Sequence, residues 1–156
     1  MKLSELLVPE LVVVPMEAED KWQAIAELAR VPARAGRYGD SFVATVEQAL
    51  TARERSMTTG MQNGIAIPHA AVDGIDELIP VLALSQRGIP FDTLDGRPAQ
   101  ILVCLIIPRA KKLLHIKTLA EIARLLSRPE VRQRLVGCSS AREVVEALQA
   151  IDRPVA

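Results

Sequence analysis

The sequence has very few aromatic residues: one Trp, one Tyr and two Phe among 156 residues. Leu, Val and Ile must therefore supply most of the buried volume of its core. Cysteine is equally scarce, since only Cys104 and Cys138 are present. Neither belongs to a CxxC pair or has a histidine neighbour, so we predict reduced thiols of a cytosolic protein and no metal site.

An excess of charge of one sign is also missing, because 19 Lys and Arg balance 19 Asp and Glu. This balance argues against a sequence-wide basic surface for nucleic-acid phosphates. No window approaches the roughly 20 uncharged apolar residues of a membrane helix. Glu5 and Pro9 interrupt the opening MKLSELLVPE before the apolar core of a signal peptide. We expect a cytoplasmic protein with no nucleic-acid binding and no membrane insertion.

The length and composition are those of one globular domain. About half of the 156 residues are apolar and a quarter are charged, which excludes a disordered or fibrous chain. The chain is too short for two ordinary domains. We predict one domain over residues 1–152 and a frayed C-terminal tail over residues 153–156.

Short apolar runs predict the strands. The candidates are residues 11–16, 65–67, 78–85 and 100–108. The last two runs are almost continuously apolar, as in strands covered on both faces. Pro68 ends the run 65–67, so His69 is predicted to begin a loop at a strand end.

Helical spacing and capping residues predict the helices. Asp20 with Gln23 opens one, which should falter near Pro32 because proline removes a backbone donor. Asp40 is predicted to cap a second helix that carries Arg53 at its end. After Pro108 a third helix has His115 in its first turn and an apolar stripe of Leu114, Leu119, Ile122, Ala123 and Leu126. Two more helices are predicted. One has Pro129 in its first turn, and the last is capped by the pair Ser140 and Glu143 and runs through Ile151.

Strands and helices thus interleave without strict alternation. This order predicts an α/β fold: a three-layer α/β/α sandwich with a mixed central sheet and helices on both faces.

His69 is one of only two histidines in the chain. A lone histidine is as often a surface or core residue as a reactive one, but a strand end is where open sheets present reactive groups. A neutral imidazole keeps one free lone pair at pH 7 and can act as a nucleophile. The sequence lacks GxSxG, GxxxxGK[ST] and GxGxxG, which argues against a serine hydrolase, a P-loop enzyme and a dinucleotide enzyme.

Three segments carry a family resemblance: LTARERSMTTGMQNGIAIPHA, GIPFDTLDGRPAQILVCLIIP and HIKTLAEIARLLS. They resemble the enzyme IIA domain of the bacterial phosphoenolpyruvate-dependent phosphotransferase system, of the fructose, mannitol and nitrogen-regulatory type (EIIA type-2). The order Arg-Glu, Thr-Gly, Asn-Gly and Ile-Pro-His is specific. The resemblance runs from the first residues to about Ile151.

The resemblance implies a function and a set of site residues. An HPr-type phosphocarrier would donate a phosphoryl group to His69, which would pass it to an enzyme IIB or signal to a regulatory target. Arg53 would stabilise the phosphate, because a guanidinium fork suits phosphate oxygens. His115 would be the second active-site histidine, and Thr58 and Thr59 would be hydroxyl donors. No cofactor is implied, and the protein would be a phosphotransferase component that forms a phosphohistidine intermediate.

Alternatives remain open for single residues and for the whole protein. Arg53 alone is typical of a solvated helix end, and His115 alone of a polar residue at a helix start. A stand-alone nitrogen-regulatory type is preferred over a sugar-specific enzyme IIA; a phosphorylation-independent binding regulator is a further alternative. A hydrolase with His69 as general base would need a partner group that the sequence does not offer.

Two departures from the family pattern affect the site. Gln62 stands before Asn63 and Gly64 where relatives usually have Gly. Arg109, Lys111 and Lys112 precede His115, where relatives often carry acidic or small residues. Since HPr-type carriers typically present basic groups, this loop would weaken docking through like-charge contact.

Overall fold

The computed structural model describes residues 2–152, so the predicted tail 153–156 lies outside the described residues. Within that range the helices are α1 (Leu3–Leu6), α2 (Lys21–Arg34), α3 (Val43–Ser56), α4 (Lys112–Leu126), α5 (Pro129–Val136) and α6 (Ala141–Ile151). The strands are β1 (Val12–Val13), β2 (Ile65–Ala66), β3 (His69–Val72), β4 (Ile79–Ile89) and β5 (Ala99–Pro108).

The five strands described form one mixed sheet. The order is β1, β4, β5, and then β2 and β3, which both pair with β5. The long central pair β4 and β5 is antiparallel, whereas β1 runs parallel to β4 and both β2 and β3 run parallel to β5. The predicted apolar runs 78–85 and 100–108 are these two central strands, whose residues are almost all buried.

Helices cover both faces of this sheet. Helices α2 and α3 pack on each other and against β4 and β3. Helices α4 and α5 pack against β5, and α6 packs against β1. The predicted three-layer α/β/α sandwich is confirmed, with a core of Leu, Ile and Val side chains and the fully buried ring of Phe91.

His69 lies in a strand, and the prediction of a loop there is wrong. Ile65 and Ala66 pair with Ile101 and Leu102, and His69 continues in the same register opposite Leu105. Pro68 has no N–H, but its carbonyl still accepts a hydrogen bond from Leu105 N–H at 2.9 Å. The proline therefore interrupts a strand that resumes at His69 instead of ending it.

Helix α2 passes through Pro32 and ends two residues later at Arg34, close to the proline near which the sequence predicted the helix to falter. One lost hydrogen bond in the last turn is tolerated there because Pro32 is buried against the core. Gly36 follows the C-cap residue Ala35, and its φ of +76° is the left-handed conformation that glycine adopts easily. Gly36 N–H bonds to Ala33 O and Arg37 N–H to Pro32 O, the Schellman pattern of a helix C-terminus.

The predicted helix starts were partly right. Asp20 and Ser140 accept the N–H groups of Gln23 and Glu143, as expected of N-caps. Asp40 instead begins a 3-10 turn before α3, and its side chain makes no capping bond. The prediction of a cap at Asp40 is therefore wrong.

The other errors concern a strand and an apolar stripe. In the predicted strand 11–16, the strand itself covers only Val12 and Val13, although Met16 N–H also bonds to Leu84 O of β4 at 2.8 Å. On α4 the buried positions are His115, Thr118, Ile122 and Leu126, whereas Leu114 is 58% exposed. The buried stripe of α4 therefore begins at His115.

A hairpin joins α3 to β2 and leads into His69. Met61 N–H bonds to Ile65 O, and Ile67 N–H bonds to Thr59 O. Asn63 and Gly64 both have positive φ at its tip, +65° and +76°, a conformation that Asn-Gly favours. The segment before the tip, which contains Gly60, also packs closely on the loop after β4, since a Cβ atom on Gly60 would lie 2.3 Å from Phe91 O.

Replacing Gly60 by Ala tests this close packing. We expect Gly60→Ala to lower the free energy of unfolding by about 1–3 kcal/mol, because the added methyl group forces backbone to move. Gly39→Ala is the control, since the atom nearest to its Cβ would be Ser41 Oγ at 3.9 Å. Chemical denaturation should separate the two variants, and equal stabilities would contradict the close contact.

Candidate active site

His69 lies on the strand at the edge of the sheet, between α3 and α4. The side chain lines a pocket of about 410 Å³. The pocket is closed on one side by Ala49, Ala52 and Arg53 of α3 and on the other by Lys112, His115, Ile116 and Leu119 of α4. The strand end also supplies Ala70, Ala71, Ile107 and Arg109.

The hydrogen bond of its Nδ1 sets the tautomer of His69. Nδ1 lies 2.8 Å from the carbonyl oxygen of Ile67, two residues earlier in the chain. A carbonyl oxygen can only accept, so Nδ1 carries the proton and Nε2 keeps its lone pair. Backbone geometry thus determines which ring nitrogen is free.

The surroundings favour the neutral form of this ring. Burial lowers the pKa of His69 below 6.5, and the Arg53 guanidinium lowers it further. The Ile67 carbonyl and the Glu54 carboxylate oppose this pKa shift without cancelling it. At neutral pH the imidazole is therefore unprotonated at Nε2 and able to attack an electrophile.

His115 lines the same pocket from the first turn of α4. It is 1% exposed, and its Nδ1 lies 3.2 Å from the hydroxyl of Thr118, one turn along the helix. Its Nε2 is buried without a hydrogen-bond partner among residues 2–152. Burial, followed by the charge of Lys111, lowers the pKa of His115. An unpartnered buried nitrogen is costly, so a ligand that bonds to it is favoured.

Arg53 approaches the pocket from the last turn of α3. Its Nη1 donates to Met57 O at 2.7 Å, which orients the guanidinium at the helix end. The structure thus brings together the three predicted residues His69, His115 and Arg53 around one pocket.

Thr58 and Thr59 line a second pocket of about 380 Å³, which adjoins the first at His69, Ile116 and Leu119. Their hydroxyl protons are used within the chain. Thr58 Oγ1 donates to Phe91 O at 2.5 Å, and Thr59 Oγ1 donates to Glu54 Oε1 at 2.7 Å.

Glu54 was missed by sequence reasoning. Its carboxylate is 4% exposed and receives bonds from both the N–H and the hydroxyl of Thr59. The sequence spacing could have indicated that Glu54 is buried, since Val46, Leu50 and Glu54 lie four residues apart on the buried side of α3.

The basic loop before His115 is partly neutralised. Arg109 pairs with Asp73 at 3.3 Å, and Lys111 pairs with Glu77 at 2.9 Å. Both acidic residues lie in the turn after β3, so the pairing is invisible in local sequence. Lys112 is exposed and has no salt bridge in the described part of the chain.

Three apolar side chains near the start of α4 are exposed, and one of them, Ile116, lines the pocket. Leu113 is 84% exposed, Leu114 58% and Ile116 56%, all in the first turns of α4. Several exposed apolar side chains close together beside a pocket are typical of a protein-binding surface. We call these three residues the α4 apolar surface.

None of the helices over residues 2–152 is long and apolar enough to cross a bilayer. The same residues contain no cluster of three or more His, Cys, Asp or Glu able to hold a metal ion, and both cysteines are free.

Fold and site together define an α/β domain with a histidine at a sheet edge whose Nε2 is free, flanked by an arginine and a second histidine. The chain belongs to the family "Phosphoenolpyruvate-dependent sugar phosphotransferase system, EIIA 2", whose model matches residues 5–151. Membership in this family supports a phosphocarrier or regulatory role.

Relatives of two kinds are similar to this chain. It is 32% identical to a nitrogen regulatory protein of Pseudomonas aeruginosa, over 93% of both chains. It is 33% identical to the fructose-specific EIIA component of Haloferax volcanii, over 91% of both. A fructose-specific EIIABC component of Bacillus subtilis is 28% identical over 98% of this chain, which spans 24% of that longer protein.

Solved structures agree with the fold. The nitrogen regulatory protein IIA-Ntr of Neisseria meningitidis superimposes with a TM-score of 0.84 at 28% identity, covering 94% of this chain and 98% of that one. Enzyme IIA-Mtl of Escherichia coli, solved in complex with phosphorylated enzyme IIB-Mtl, has a TM-score of 0.75 at 22% identity, covering 92% and 97%.

The tautomer and the pKa of His69 can be measured directly. Nitrogen-15 NMR of the histidine ring should show a proton on Nδ1 and none on Nε2 at pH 7. Because the pKa is lowered from 6.5, the protonated ring should become the majority form only below that pH. Reactivity of Nε2 should then rise with pH through the lowered pKa and level off above it. A proton on Nε2 at pH 7, or a pKa above 6.5, would contradict the geometry.

Proposed function

We propose that this protein accepts a phosphoryl group on Nε2 of His69 from an HPr-type phosphocarrier and passes it on or signals with it. The observation that carries the proposal is the bond from His69 Nδ1 to Ile67 O, which leaves Nε2 as the free nucleophile. Family membership supports the same reaction. The active unit would be the single EIIA type-2 domain, residues 1–152, acting in the cytoplasm.

The phosphoryl transfer forms one N–P bond and breaks another, so it needs no cofactor. The lone pair of Nε2 forms the new N–P bond as the N–P bond of the donor phosphohistidine breaks, and that bonding pair returns to the imidazole of the donor. The His69 ring then carries a positive charge, because Nδ1 keeps its proton. The Ile67 carbonyl at 2.8 Å stabilises this charge, so the same hydrogen bond serves both states of the ring.

The other site residues would stabilise charge on the phosphoryl oxygens. Arg53 uses one N–H on Met57 O, which leaves other guanidinium donors for the phosphate. If the Thr118 hydroxyl donates to Nδ1 of His115, the Nε2 of His115 carries a proton and can donate to a phosphoryl oxygen. Thr58 and Thr59 would hold the backbone around His69, because their hydroxyl protons are already donated.

Partners would dock on the α4 apolar surface, Leu113, Leu114 and Ile116, beside the pocket. An enzyme IIB or a regulatory target is proposed as the downstream partner, and the IIA-Mtl complex with phosphorylated IIB-Mtl supports an interaction of the first kind. Similarity to nitrogen regulatory and fructose-specific proteins is about equal, so the preference for a stand-alone regulatory role is a modest one.

A phosphorylation-independent binding regulator is the second candidate. It is favoured by the same exposed apolar surface, which can bind a partner before any phosphate is present. Partner binding by His69→Ala with the affinity of the unmodified protein would support this second role.

Replacing His69 tests the acceptor. With enzyme I, the native HPr-type carrier and phosphoenolpyruvate, the protein should gain one acid-labile phosphoryl group, located on Nε2 by phosphorus NMR. His69→Ala should gain none, and Arg53→Ala should react roughly a hundredfold more slowly because a charge-stabilising donor is lost. Gln48→Ala, an exposed change on the same helix, is the control. If the unmodified protein gains no phosphoryl group under these conditions, the proposal is wrong.

Replacing one exposed leucine tests the docking surface. We expect Leu113→Ser to raise the KM for the phosphorylated carrier about tenfold with little change in kcat, since it removes an apolar contact and no reacting group. Leu94→Ser is the matched control, because Leu94 is 81% exposed in the loop after β4 and lines neither pocket. Equal KM values for both variants would place the docking surface elsewhere.

A further inference from the structure

A buried carboxylate lies beneath the site and has no part in the transfer described above. Glu54 accepts Thr59 N–H at 2.6 Å through Oε2 and at 3.1 Å through Oε1. Its Oε1 also accepts the Thr59 hydroxyl at 2.7 Å. Burying a carboxylate costs several kcal/mol unless donors compensate for the lost water, and here one residue supplies both. Such an arrangement holds Thr59 in a single place.

From Thr59 a series of hydrogen bonds leads to the reactive histidine. The carbonyl of Thr59 accepts Ile67 N–H at 3.1 Å, and the carbonyl of Ile67 accepts His69 Nδ1–H at 2.8 Å. Both polar groups of Ile67 point away from β5, since the neighbouring Pro68 carbonyl is the one that bonds to Leu105. Each residue of this series holds the next: Glu54 fixes Thr59, Thr59 fixes Ile67, and the Ile67 carbonyl faces His69 Nδ1.

We propose that Glu54 is a positioning residue that fixes the Nδ1–H tautomer and the orientation of His69 through Thr59 and Ile67. The effect is one of placement: the buried carboxylate holds Thr59, and the Thr59 carbonyl holds Ile67 N–H, so that the Ile67 carbonyl stays within 2.8 Å of Nδ1. The carbonyl held there keeps the proton on Nδ1 and leaves Nε2 free. Once the ring is phosphorylated and positive, the same series of bonds stabilises it.

The segment anchored by Glu54 also positions the phosphate-binding arginine. Met57 O, two residues before Thr59, accepts the 2.7 Å bond from Arg53. One buried carboxylate therefore orients both the nucleophile and Arg53. The pKa of His69 agrees with this placement, since the negative charge of Glu54 raises it against burial and Arg53. The charged and titratable groups that share this neighbourhood are Arg53, Glu54, Asp73, Arg109, Lys112 and His115.

Glu54→Gln tests the proposal, because it removes the charge and keeps the size of the side chain. In the unphosphorylated protein, nitrogen-15 NMR should show part of the His69 population with the proton on Nε2 and a pKa lower than in the unchanged protein. The rate of phosphoryl transfer at saturating carrier should fall roughly tenfold, with KM nearly constant, since a misplaced nucleophile slows chemistry without weakening docking. Glu47→Gln makes the same charge change in the middle of α3 and is the matched control.

A second variant covers the case in which Glu54→Gln does not fold. Thr59→Val removes the hydroxyl bond to Glu54 and keeps the bonds from Thr59 N–H to both carboxylate oxygens. The tautomer and the transfer rate should therefore change in the same direction as in Glu54→Gln, but by less. The proposal is overturned if the folded variants keep the tautomer, the pKa and the rate of the unchanged protein, or if Glu47→Gln changes them as much as Glu54→Gln does.

The rate consequence rests on the proposed function, whereas the NMR consequence does not. If the unchanged protein accepts no phosphoryl group, the proposed function fails and the tautomer shift in Glu54→Gln still decides the role of Glu54. If labelling succeeds and the tautomer is insensitive to Glu54, only the positioning role fails.

Discussion

The hydrogen bond between Nδ1 of His69 and the carbonyl of Ile67 connects the chemistry of the site to the sheet. It exists because β2 and β3 share one register along β5, with a single interruption at Pro68. The alternation of a strand directs the Pro68 carbonyl to β5 and leaves the Ile67 carbonyl at the sheet edge. A flexible loop at His69 would leave both ring nitrogens equally available. The strand decides which one is free.

Charge around the site is arranged so that the pocket attracts an anion while the histidine stays neutral. Arg53 and burial both disfavour a protonated ring. Arg109 and Lys112 also line the pocket, but Arg109 and the neighbouring Lys111 are paired with Asp73 and Glu77. Exposed pairs of this kind add little to stability, about 1 kcal/mol at most, yet they reduce the field that a docking partner meets. The like-charge contact expected from the basic loop is therefore weaker than the sequence suggests, and Lys112 carries most of what remains.

Local signals predicted the elements better than their ends. Capping at Asp20 and Ser140 was readable because the acceptor and the donor are three residues apart. The passage of α2 through Pro32 was not, since it depends on the burial of the proline and on Gly36 to end the helix. Leu114 fits the apolar period of α4 but faces water, because the neighbouring β5 and α5 contact the side that carries His115 and Ile122. Helical periodicity predicts that an apolar stripe exists, and the packing of neighbouring elements decides which side of the helix is buried.

The sequence by itself determined the fold class, the two long central strands and the family, because these depend on periodicity and on the ordered motif from Arg53 to His69. It also named the three residues that the structure brings to one pocket. Only the tertiary structure decided which nitrogen of His69 is free, that the hydroxyl protons of Thr58 and Thr59 are donated within the chain, and that Glu54 is buried beneath them. The physical reason is that hydrogen bonds across the hairpin and the sheet join residues whose geometry no local pattern specifies.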